Sequence, residues 1–269
     1  MKYALVNNEK AEAKKGLNGI CPICASELTS KCGEYKVNHW AHKKSRNCDP
    51  WWESETDWHR NWKNNYPAEW QEFLFTDQNT NEKHIADVHT SHNLVIEFQH
   101  SSISPNEQKS RESFYKNMIW VVDGTRLKRD FPRFSKSIKY FKKSRVKDHY
   151  FVDKIEEVLP ENWLNSSAPV LFDFKGINVL KDNTDLRQNL YCLFPMRMWG
   201  YSLIVVIPRK AFTITTINGD WIKRSQNFIE SFNQKLVQPI QDQVQIKKQV
   251  ESAYSVDMKK GKIIKKRRF

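Results

Sequence analysis

Two short runs separated by a four-residue gap constrain the fold of this chain more than any other feature. Residues 84–89 (HIADVH) and 94–99 (LVIEFQ) have the composition of strands, and the gap suits a hairpin. The hairpin brings Asp87 beside Glu97, and side-chain alternation puts Gln99 on the same face as Glu97. Converging carboxylates can hold a divalent cation and a water, which is the chemistry of phosphodiester hydrolysis. For an isolated pair of acids, two unrelated surface carboxylates are the commoner case, so the neighbouring segments decide between the two interpretations.

The segments around this hairpin predict two helices and two further strands. Residues 51–63 carry tryptophans at helical spacing, with Ser54 as a candidate N-cap, and residues 70–75 have a strand pattern. A Ser-Pro pair at 104–105 suits the start of a second helix, and 118–123 is an apolar run of the buried-strand type. The order helix, three strands, helix, strand predicts an α/β or mixed α+β fold, with a mixed sheet flanked by helices.

The first predicted helix carries a polar stripe. Glu55, His59 and Lys63 follow one another at intervals of four residues, so they share one face of a helix. Tryptophans on the adjacent face would hold the helix against the sheet and direct the stripe towards the two carboxylates. The alternative is an ordinary ladder of charges on a solvated surface.

Four of the five cysteines lie between positions 21 and 48, together with two histidines. Cys21 and Cys24 form a CxxC pair, and His42 and Cys48 follow at the spacing of a zinc ribbon. In a reducing compartment, clustered cysteines bind metal more often than they form disulfides. We therefore predict a structural Zn²⁺ site of these four residues, with His39 as an alternative ligand. Buried cysteines without a metal are the competing interpretation.

The charge of the chain predicts a polyanionic partner. Forty-four basic and thirty-one acidic residues leave a formal charge of +13, which favours nucleic acid over an anionic membrane surface. The excess is concentrated at 126–148 and 259–269. Candidate nucleic-acid contacts are Lys43, Lys44, Arg46, Arg111, Lys142 and Lys143. No apolar run is long enough to span a bilayer and the first residues do not resemble a signal peptide, so we expect a cytoplasmic protein.

The last third of the chain carries no motif of known chemistry. Strands are expected at 168–174, 190–194, 201–207 and 212–215. A helix is expected at 228–250, broken near Pro239. These elements form either a small α+β domain or an extension of the first sheet. The predicted segments are 1–50 around the zinc site, 51–149 as the core, and 150–269 as an α+β extension with a basic tail.

Several of these motifs occur together, in one order, in a known family. The motifs CPIC, HWAH, ETDWH, IADV, IEFQHS and YKNMIWVV resemble those of the competence-protein CoiA-like nucleases, a branch of the PD-(D/E)xK phosphodiesterase superfamily with a zinc-ribbon-like N-terminal segment. The resemblance covers roughly residues 15–130. It implies a restriction-endonuclease-like core in which Asp87 and Glu97 hold Mg²⁺ or Mn²⁺. Glu55 is implied as a further acid that reaches the ion through water, with His59 and Lys63 near the scissile phosphate.

At the position where the superfamily usually has lysine, this chain has Gln99. An amide can orient an attacking water but supplies no positive charge, so Lys63 or His59 is a candidate to assist the nucleophile. The resemblance implies a metal-dependent deoxyribonuclease, expected to be an endonuclease, that processes or defends against foreign DNA. Alternatives are a non-catalytic zinc-dependent DNA-binding protein with a vestigial core, and a nuclease that uses a histidine base beside the zinc. DNA against RNA, strandedness and any activating partner stay open.

Overall fold

The computed structural model describes residues 1–34, 36–44, 48–78, 80–198, 200–232, 254–257 and 262–265. The chain divides into two compact units, Met1–Gly219 and Asp220–Phe269, and each is described by itself. The predicted nucleic-acid contact Arg46 lies outside the described residues, as do most of the basic tail and positions 233–250 of the predicted last helix. In the described part of the chain, no helix is both long enough and apolar enough to cross a membrane.

The N-terminal residues form a small antiparallel sheet in the order β2-β1-β3-β4-β5. Its strands are β1 (Tyr3–Val6), β2 (Glu9–Glu12), β3 (Asn18–Ile20), β4 (Glu27–Lys31) and β5 (His39–His42). Its core is small, and Leu28 and Trp40 are its largest buried side chains. Gly19 is required there, because a Cβ at this position would lie 2.9 Å from the Cβ of Ala4. A core of this size rarely stabilises a segment of some 40 residues without a disulfide or a metal.

The remaining strands of the first unit form one mixed sheet of nine strands, in the order β10-β11-β14-β13-β12-β9-β8-β7-β6. They are β6 (Gln71–Thr76), β7 (Lys83–His89), β8 (Val95–Gln99), β9 (Met118–Asp123), β10 (Lys142–Lys143), β11 (His149–Val152), β12 (Val170–Asp173), β13 (Asn189–Met198) and β14 (Tyr201–Pro208). The accompanying helices are α1 (Asp57–Lys63), α2 (Pro105–Tyr115), α3 (Asp130–Ser137) and α4 (Arg209–Ile217). The predicted mixed α+β class, with a large mixed sheet flanked by helices, is confirmed.

The predicted hairpin is present as β7 and β8, which pair antiparallel. Its turn is closed by two bonds between Thr90 and Leu94, one backbone to backbone at 2.9 Å and one to the threonine hydroxyl at 3.2 Å. Asn93 lies between them with φ of +58°, a left-handed conformation that asparagine tolerates better than most residues.

The second predicted helix starts where its cap residues place it. The hydroxyl of Ser104 accepts the N–H of Glu107, and Pro105 occupies the first turn of α2, where its missing N–H costs nothing. This helix is the crossover between β8 and β9, which are parallel neighbours.

The first helix is shorter than its pattern suggested. The expected N-cap Ser54 is wrong, because α1 begins after Thr56. The hydroxyl of Thr56 accepts the N–H of His59 at 3.3 Å, and the His59 ring nitrogen Nδ1 accepts the N–H of Thr56 at 3.3 Å. This reciprocal pair is a capping box in which histidine takes the place of the usual Glu or Gln. Glu55 and Trp51 therefore precede the helix, and only part of the predicted stripe is helical.

The C-terminal strands extend the main sheet rather than forming a separate sheet. Strand β12 pairs in parallel with β9, and β13 and β14 follow it. The sheet continues across position 150, since the β10–β11 hairpin straddles it, and the predicted boundary there stays a prediction. The strand expected at 212–215 is wrong, because those residues lie in α4. Their β-branched threonines are accommodated in the helix, where Thr215 and Thr216 donate to carbonyls of the preceding turn.

Helix α1 is fixed to the sheet by one buried carboxylate. Trp58 and Trp62 each donate an indole N–H to Oδ2 of Asp173 at 2.9 Å. The other oxygen of Asp173 accepts from Arg209 and from two backbone N–H groups that follow it in the chain. The ring of Trp62 also stacks on Phe98 of β8 at 5.7 Å between centroids. The C-terminal half of the chain thus sets the position of the helix that carries His59 and Lys63.

The second unit contains helix α5 (Asp220–Phe232) and an antiparallel pair of strands, β15 (Tyr254–Asp257) and β16 (Lys262–Lys265). The described part of the predicted last helix, up to residue 232, is helical and starts earlier than expected.

Asp173→Asn is expected to destabilise the protein strongly. An amide would point donor hydrogens at groups that are themselves donors, and Arg209 would lose its charged partner; a buried pair that loses one partner costs about 3–5 kcal/mol. Urea unfolding followed by tryptophan fluorescence measures the loss. Asp153→Asn, at an exposed carboxylate, is the matched control and should leave the midpoint unchanged. Equal midpoints for both variants would contradict this account of Asp173.

Candidate functional site

The two carboxylates lie where the β7–β8 ladder opens. The register pairs Val88 with Ile96 and then stops in the direction of Asp87. Beyond that point, the N–H of Asp87 donates to Glu97 Oε1 at 3.2 Å, and the N–H of Phe98 donates to Asp87 Oδ2 at 2.9 Å. Each carboxylate therefore satisfies a backbone N–H that the ladder would otherwise bond. The pair is held side by side at the split between the strands.

Lys63 connects this pair to two further acids. Its ammonium lies 2.8 Å from Glu55 Oε1, 2.9 Å from Glu72 Oε1 and 3.7 Å from Asp87 Oδ1. Burial alone would lower the pKa of Lys63, but the three carboxylates outweigh it and raise the pKa above its ordinary value. Lys63 is thus a fixed cation at the site and does not act as a proton acceptor near neutral pH.

The carboxylates themselves resist ionisation. Burial, reinforced by the neighbouring charge of Asp87, raises the pKa of Glu97 to about 8, although Arg111 opposes the shift. Burial likewise raises the pKa of Asp87, and the ammonium of Lys63 opposes it. Two acids that share a desolvated site favour holding a proton between them, and a bound cation would remove that preference.

Arg111 holds Glu97 from the α2 side of the sheet. Its guanidinium donates to Glu97 Oε2 at 3.0 Å, to the carbonyl of Trp51 at 2.6 Å and to Glu107. The side chain is 6% exposed, so it is a buried partner of the candidate site and not a surface contact. A direct role in binding nucleic acid stays a prediction for this residue.

Glu55 and His59 lie near the pair, but each is engaged with other groups. Both oxygens of Glu55 accept from the guanidinium of Arg60, and Lys63 bonds one of them as well. Burial would raise the pKa of Glu55, but Lys63 and Arg60 lower it below its ordinary value. The Nε2 atom of His59 faces Glu53 Oε2 at 3.7 Å. Glu55 therefore meets Asp87 through Lys63, and its implied role beside a metal ion stays a prediction.

Gln99 is buried, and its amide is turned along its own strand. The Nε2 atom donates to the hydroxyl of Ser101 at 3.2 Å and lies 3.4 Å from the Ser101 carbonyl. Within the described residues, its carbonyl oxygen Oε1 has no hydrogen-bond partner. A buried carbonyl without a donor carries a desolvation cost, so this oxygen is suited to accept from a water or ligand.

These groups line a cavity of about 290 Å³ between the two sheets. From the core, its lining includes Glu53, Glu55, His59, Lys63, Glu72, Asp87, Glu97 and Arg111. From the N-terminal segment, its lining includes Ile23, His39, Trp40, Ala41, His42, Lys44 and Cys48. The candidate site is therefore enclosed by the N-terminal segment as well as by the core.

The predicted zinc ligands meet in one cluster. The ligand atoms of Cys21, Cys24, His42 and Cys48 all lie within 4.8 Å of one another, a spacing that a single tetrahedral ion can bridge. Cys21 Sγ is 3.5 Å from Cys48 Sγ, and Cys24 Sγ is 3.4 Å from His42 Nε2. The alternative ligand His39 instead bonds the carbonyl of Val37 through Nδ1 at 2.9 Å. Sulfur and imidazole donors suit Zn²⁺, so the cluster can hold a metal such as zinc.

Among the described residues, this cluster is the group in which three or more metal-ligating side chains converge. Asp87 and Glu97 supply two carboxylates, and Glu55 does not complete a third ligand position. A hard cation at the acidic pair would take its remaining ligands from water and phosphate oxygens, as Mg²⁺ commonly does.

The predicted basic contacts are widely separated. Lys44 is exposed and lines the cavity, whereas Lys43 is exposed and paired with Glu27 at 2.7 Å. Lys142 and Lys143 are exposed on β10, at the opposite end of the sheet order from β8. Six strand spacings of about 4.8 Å separate these strands, so the two lysines cannot contact the phosphate that Asp87 would face.

Sequence reasoning missed two features of the site. Glu72 occupies a predicted strand, and a charged residue in an apolar strand is a weak signal that gave no hint of Lys63. Asp49 follows Cys48 directly, and its carboxylate bonds His84 Nδ1 at 2.9 Å and the N–H of Ile85 at 3.1 Å. These contacts tie the cysteine cluster to the strand that carries Asp87.

Comparisons with known proteins match the two parts of this site separately. Residues 4–50 match the family described as competence protein CoiA, N-terminal domain, and residues 83–152 match competence protein CoiA, nuclease-like domain. Competence protein CoiA of Bacillus subtilis (strain 168) is 27% identical over 147 residues. These residues make up 49% of this chain and 38% of that protein. No solved structure matches the chain.

The sequence-based recognition of a CoiA-like family is confirmed by these matches. The nuclease-like region contains Asp87, Glu97 and Gln99, whereas α1 with His59 and Lys63 falls between the two matched regions.

Two histidines on β5 provide a sharp test of the zinc cluster. His42→Ala should lose the bound zinc of the purified protein, because it removes one of four converging ligands. His39→Ala, three residues away on the same strand, should keep one zinc per chain. Elemental analysis by mass spectrometry measures the ratio, and hydrogen exchange of residues 3–42 reports the stability of the N-terminal sheet. Retention of zinc by His42→Ala together with its loss from His39→Ala would reverse the ligand assignment.

Proposed function

We propose that this chain, a CoiA-like protein, is a metal-dependent nuclease that hydrolyses phosphodiester bonds of DNA, with internal cleavage as its mode. The observation that carries the proposal is the pair Asp87 and Glu97, buried side by side with the fixed cation Lys63 in one cavity. The nuclease-like match over this region supports it. The relative is named a competence protein, and we extend that to a role in processing or defending against foreign DNA.

The donor chemistry of the acidic pair fits Mg²⁺ or Mn²⁺. Asp87 and Glu97 would hold the ion through carboxylate oxygens, and both line the cavity that a phosphate would enter. When bound, such an ion polarises the phosphate and makes a bound water more acidic. The protein itself contributes positioning: Arg111 holds one oxygen of Glu97, and the N–H of Phe98 holds one oxygen of Asp87.

Lys63 is the group that we assign to the place of the superfamily lysine. Its ammonium reaches Asp87 from α1 and lies in the cavity, whereas Gln99 bonds Ser101. A permanently charged ammonium beside the reacting phosphate stabilises the charge that develops during displacement. Gln99 would then orient a water through its free Oε1 atom, and His59 with Glu53 would accept or relay a proton.

A second candidate function is zinc-dependent DNA binding without catalysis. The observation that favours it is that protein groups already engage both carboxylates of the pair, with three further acids committed to Lys63, Arg60 and His59. This alternative expects salt-sensitive binding to DNA with no cleavage under any metal condition.

The Asp87→Ala/Glu97→Ala double variant should bind DNA and fail to cut it. The metal carboxylates are removed while the basic surface is retained, so cleavage is expected to fall at least a thousandfold. The assay follows supercoiled and linear plasmid, single-stranded DNA and RNA on gels, with Mg²⁺, with Mn²⁺ or without added divalent ions. Circular dichroism checks the fold, and Asp153→Asn serves as an active control. Cutting by the double variant at the parental rate would exclude this site.

The proton on Glu97 gives a second test. Because its pKa is raised to about 8, binding of Mg²⁺ must displace a proton at neutral pH, so affinity should rise as pH increases from 6.5 to 9. Calorimetry in buffers of different ionisation enthalpy measures the proton release, expected to approach one per ion at the acidic end. Glu97→Gln should bind weakly and without this pH dependence. Equal Mg²⁺ affinity of the parent at both pH values would contradict the assignment.

A further inference from the structure

The enclosure of the candidate site limits what can enter it. The side chains of Glu97 and Lys63 are 5% and 3% exposed, so the chemistry lies inside the cavity and not on an open face. The opposite wall is formed by the N-terminal segment, including Trp40, His42 and Cys48. A phosphate must pass between these walls before it can reach Asp87.

The volume of the cavity excludes a double helix. A cube of 290 Å³ has an edge of about 7 Å, whereas the major groove of B-DNA alone is about 12 Å wide. One strand presents a single sugar and phosphate at a time, and its bases are free to leave the stack. A separated strand therefore fits the enclosure, and a base-paired one does not.

Two exposed side chains mark the opening of the cavity. Within its described lining, Lys44 and Trp52 are the exposed residues, and the Trp52 side chain keeps 41% of its surface in solvent. Its neighbour Trp51 is used internally, with its ring stacked on His84 at 3.2 Å between centroids. Among the described residues, no aromatic ring is recorded against the indole of Trp52. Both of its faces are consequently available to a planar ligand.

An exposed indole beside a lysine is the composition of a single-strand contact. Bases stack on aromatic rings with little regard to sequence, and a lysine neutralises the adjoining phosphate. A large apolar ring left in water at the rim of an enclosed polar cavity is otherwise unfavourable. The formal charge of +13 on the chain favours the same polyanion.

We propose that the substrate is single-stranded DNA, which threads between the N-terminal segment and the core, with one base stacked on Trp52 at the entrance and its phosphate beside Lys44. This inference rests on the proposed function for the identity of the cavity as the reaction site. Trp52 selects the strand by its unpaired base. It is a specificity-determining contact and takes no part in the hydrolysis.

The test is a binding measurement that needs no cleavage. Fluorescence anisotropy of the full-length, zinc-loaded chain, without added Mg²⁺ or Mn²⁺, compares a labelled single strand with a blunt duplex of the same sequence. The parent should bind the single strand at least tenfold more tightly. Trp52→Ala should weaken single-strand binding about tenfold, and Trp52→Phe should retain most of it. Tyr140→Ala, at an aromatic side chain that is 75% exposed elsewhere, is the matched control and should bind as the parent does.

A strand with one abasic site, moved position by position, completes the cycle. One abasic position should weaken binding to the parent as much as Trp52→Ala does, and should cost nothing further in that variant, because the same stacking contact is already lost. Equal affinity of the parent for strand and duplex, or unchanged binding by a folded Trp52→Ala variant, would overturn the proposal. Loss of binding by Trp52→Ala in a protein that never cuts DNA would uphold the strand contact and refute the nuclease.

Discussion

The buried ammonium of Lys63 is the interaction on which the rest of the site depends. An unpaired charge at this depth would be prohibitively costly, so three carboxylates must meet it, and each comes from a different part of the chain. Glu72 lies on β6, Asp87 lies on β7 and Glu55 precedes the helix that carries the lysine itself. Helix, sheet and entry segment are therefore fixed together by one group. Such a network is strongly destabilised when one member is removed, which makes it a device for position more than for stability.

The same electrostatics leave the acidic pair incompletely neutralised. Lys63 compensates chiefly Glu55 and Glu72, from which it is less than 3 Å, and is farther from Asp87. Arg111 compensates Glu97 from the other side of the sheet, but the raised pKa of Glu97 shows that one guanidinium does not outweigh its burial and its acidic neighbour. The split between β7 and β8 is thus a place where additional positive charge lowers the free energy. That property separates a cation site from a finished salt bridge, and it is the physical basis for placing a divalent ion there.

Local rules recovered the parts of this fold that local interactions determine. The hairpin, the cap of α2 at Ser104 and the cysteine cluster follow from neighbours in the sequence, and all are present. The start of α1 was missed because histidine replaced the acid of a capping box, and the helix at 212–215 was missed because threonine has the composition of a strand. The contacts of Lys63 with Glu72 and of α1 with Asp173 were beyond reach. The second spans more than 110 residues, and a lone acid in a strand has no pattern that names its partner.

The cysteine cluster and the acidic pair are joined by a short mechanical path. Cys48 is followed by Asp49, whose carboxylate bonds the backbone and side chain of β7 just ahead of Asp87. Two residues further on, the carbonyl of Trp51 accepts from the same guanidinium of Arg111 that holds Glu97. One ligand of the cluster is therefore within a few bonds of anchors on both strands that carry the carboxylates. Since a small N-terminal core cannot by itself fix this segment, an ion at the cluster would fix the wall of the cavity and the geometry of the acids together.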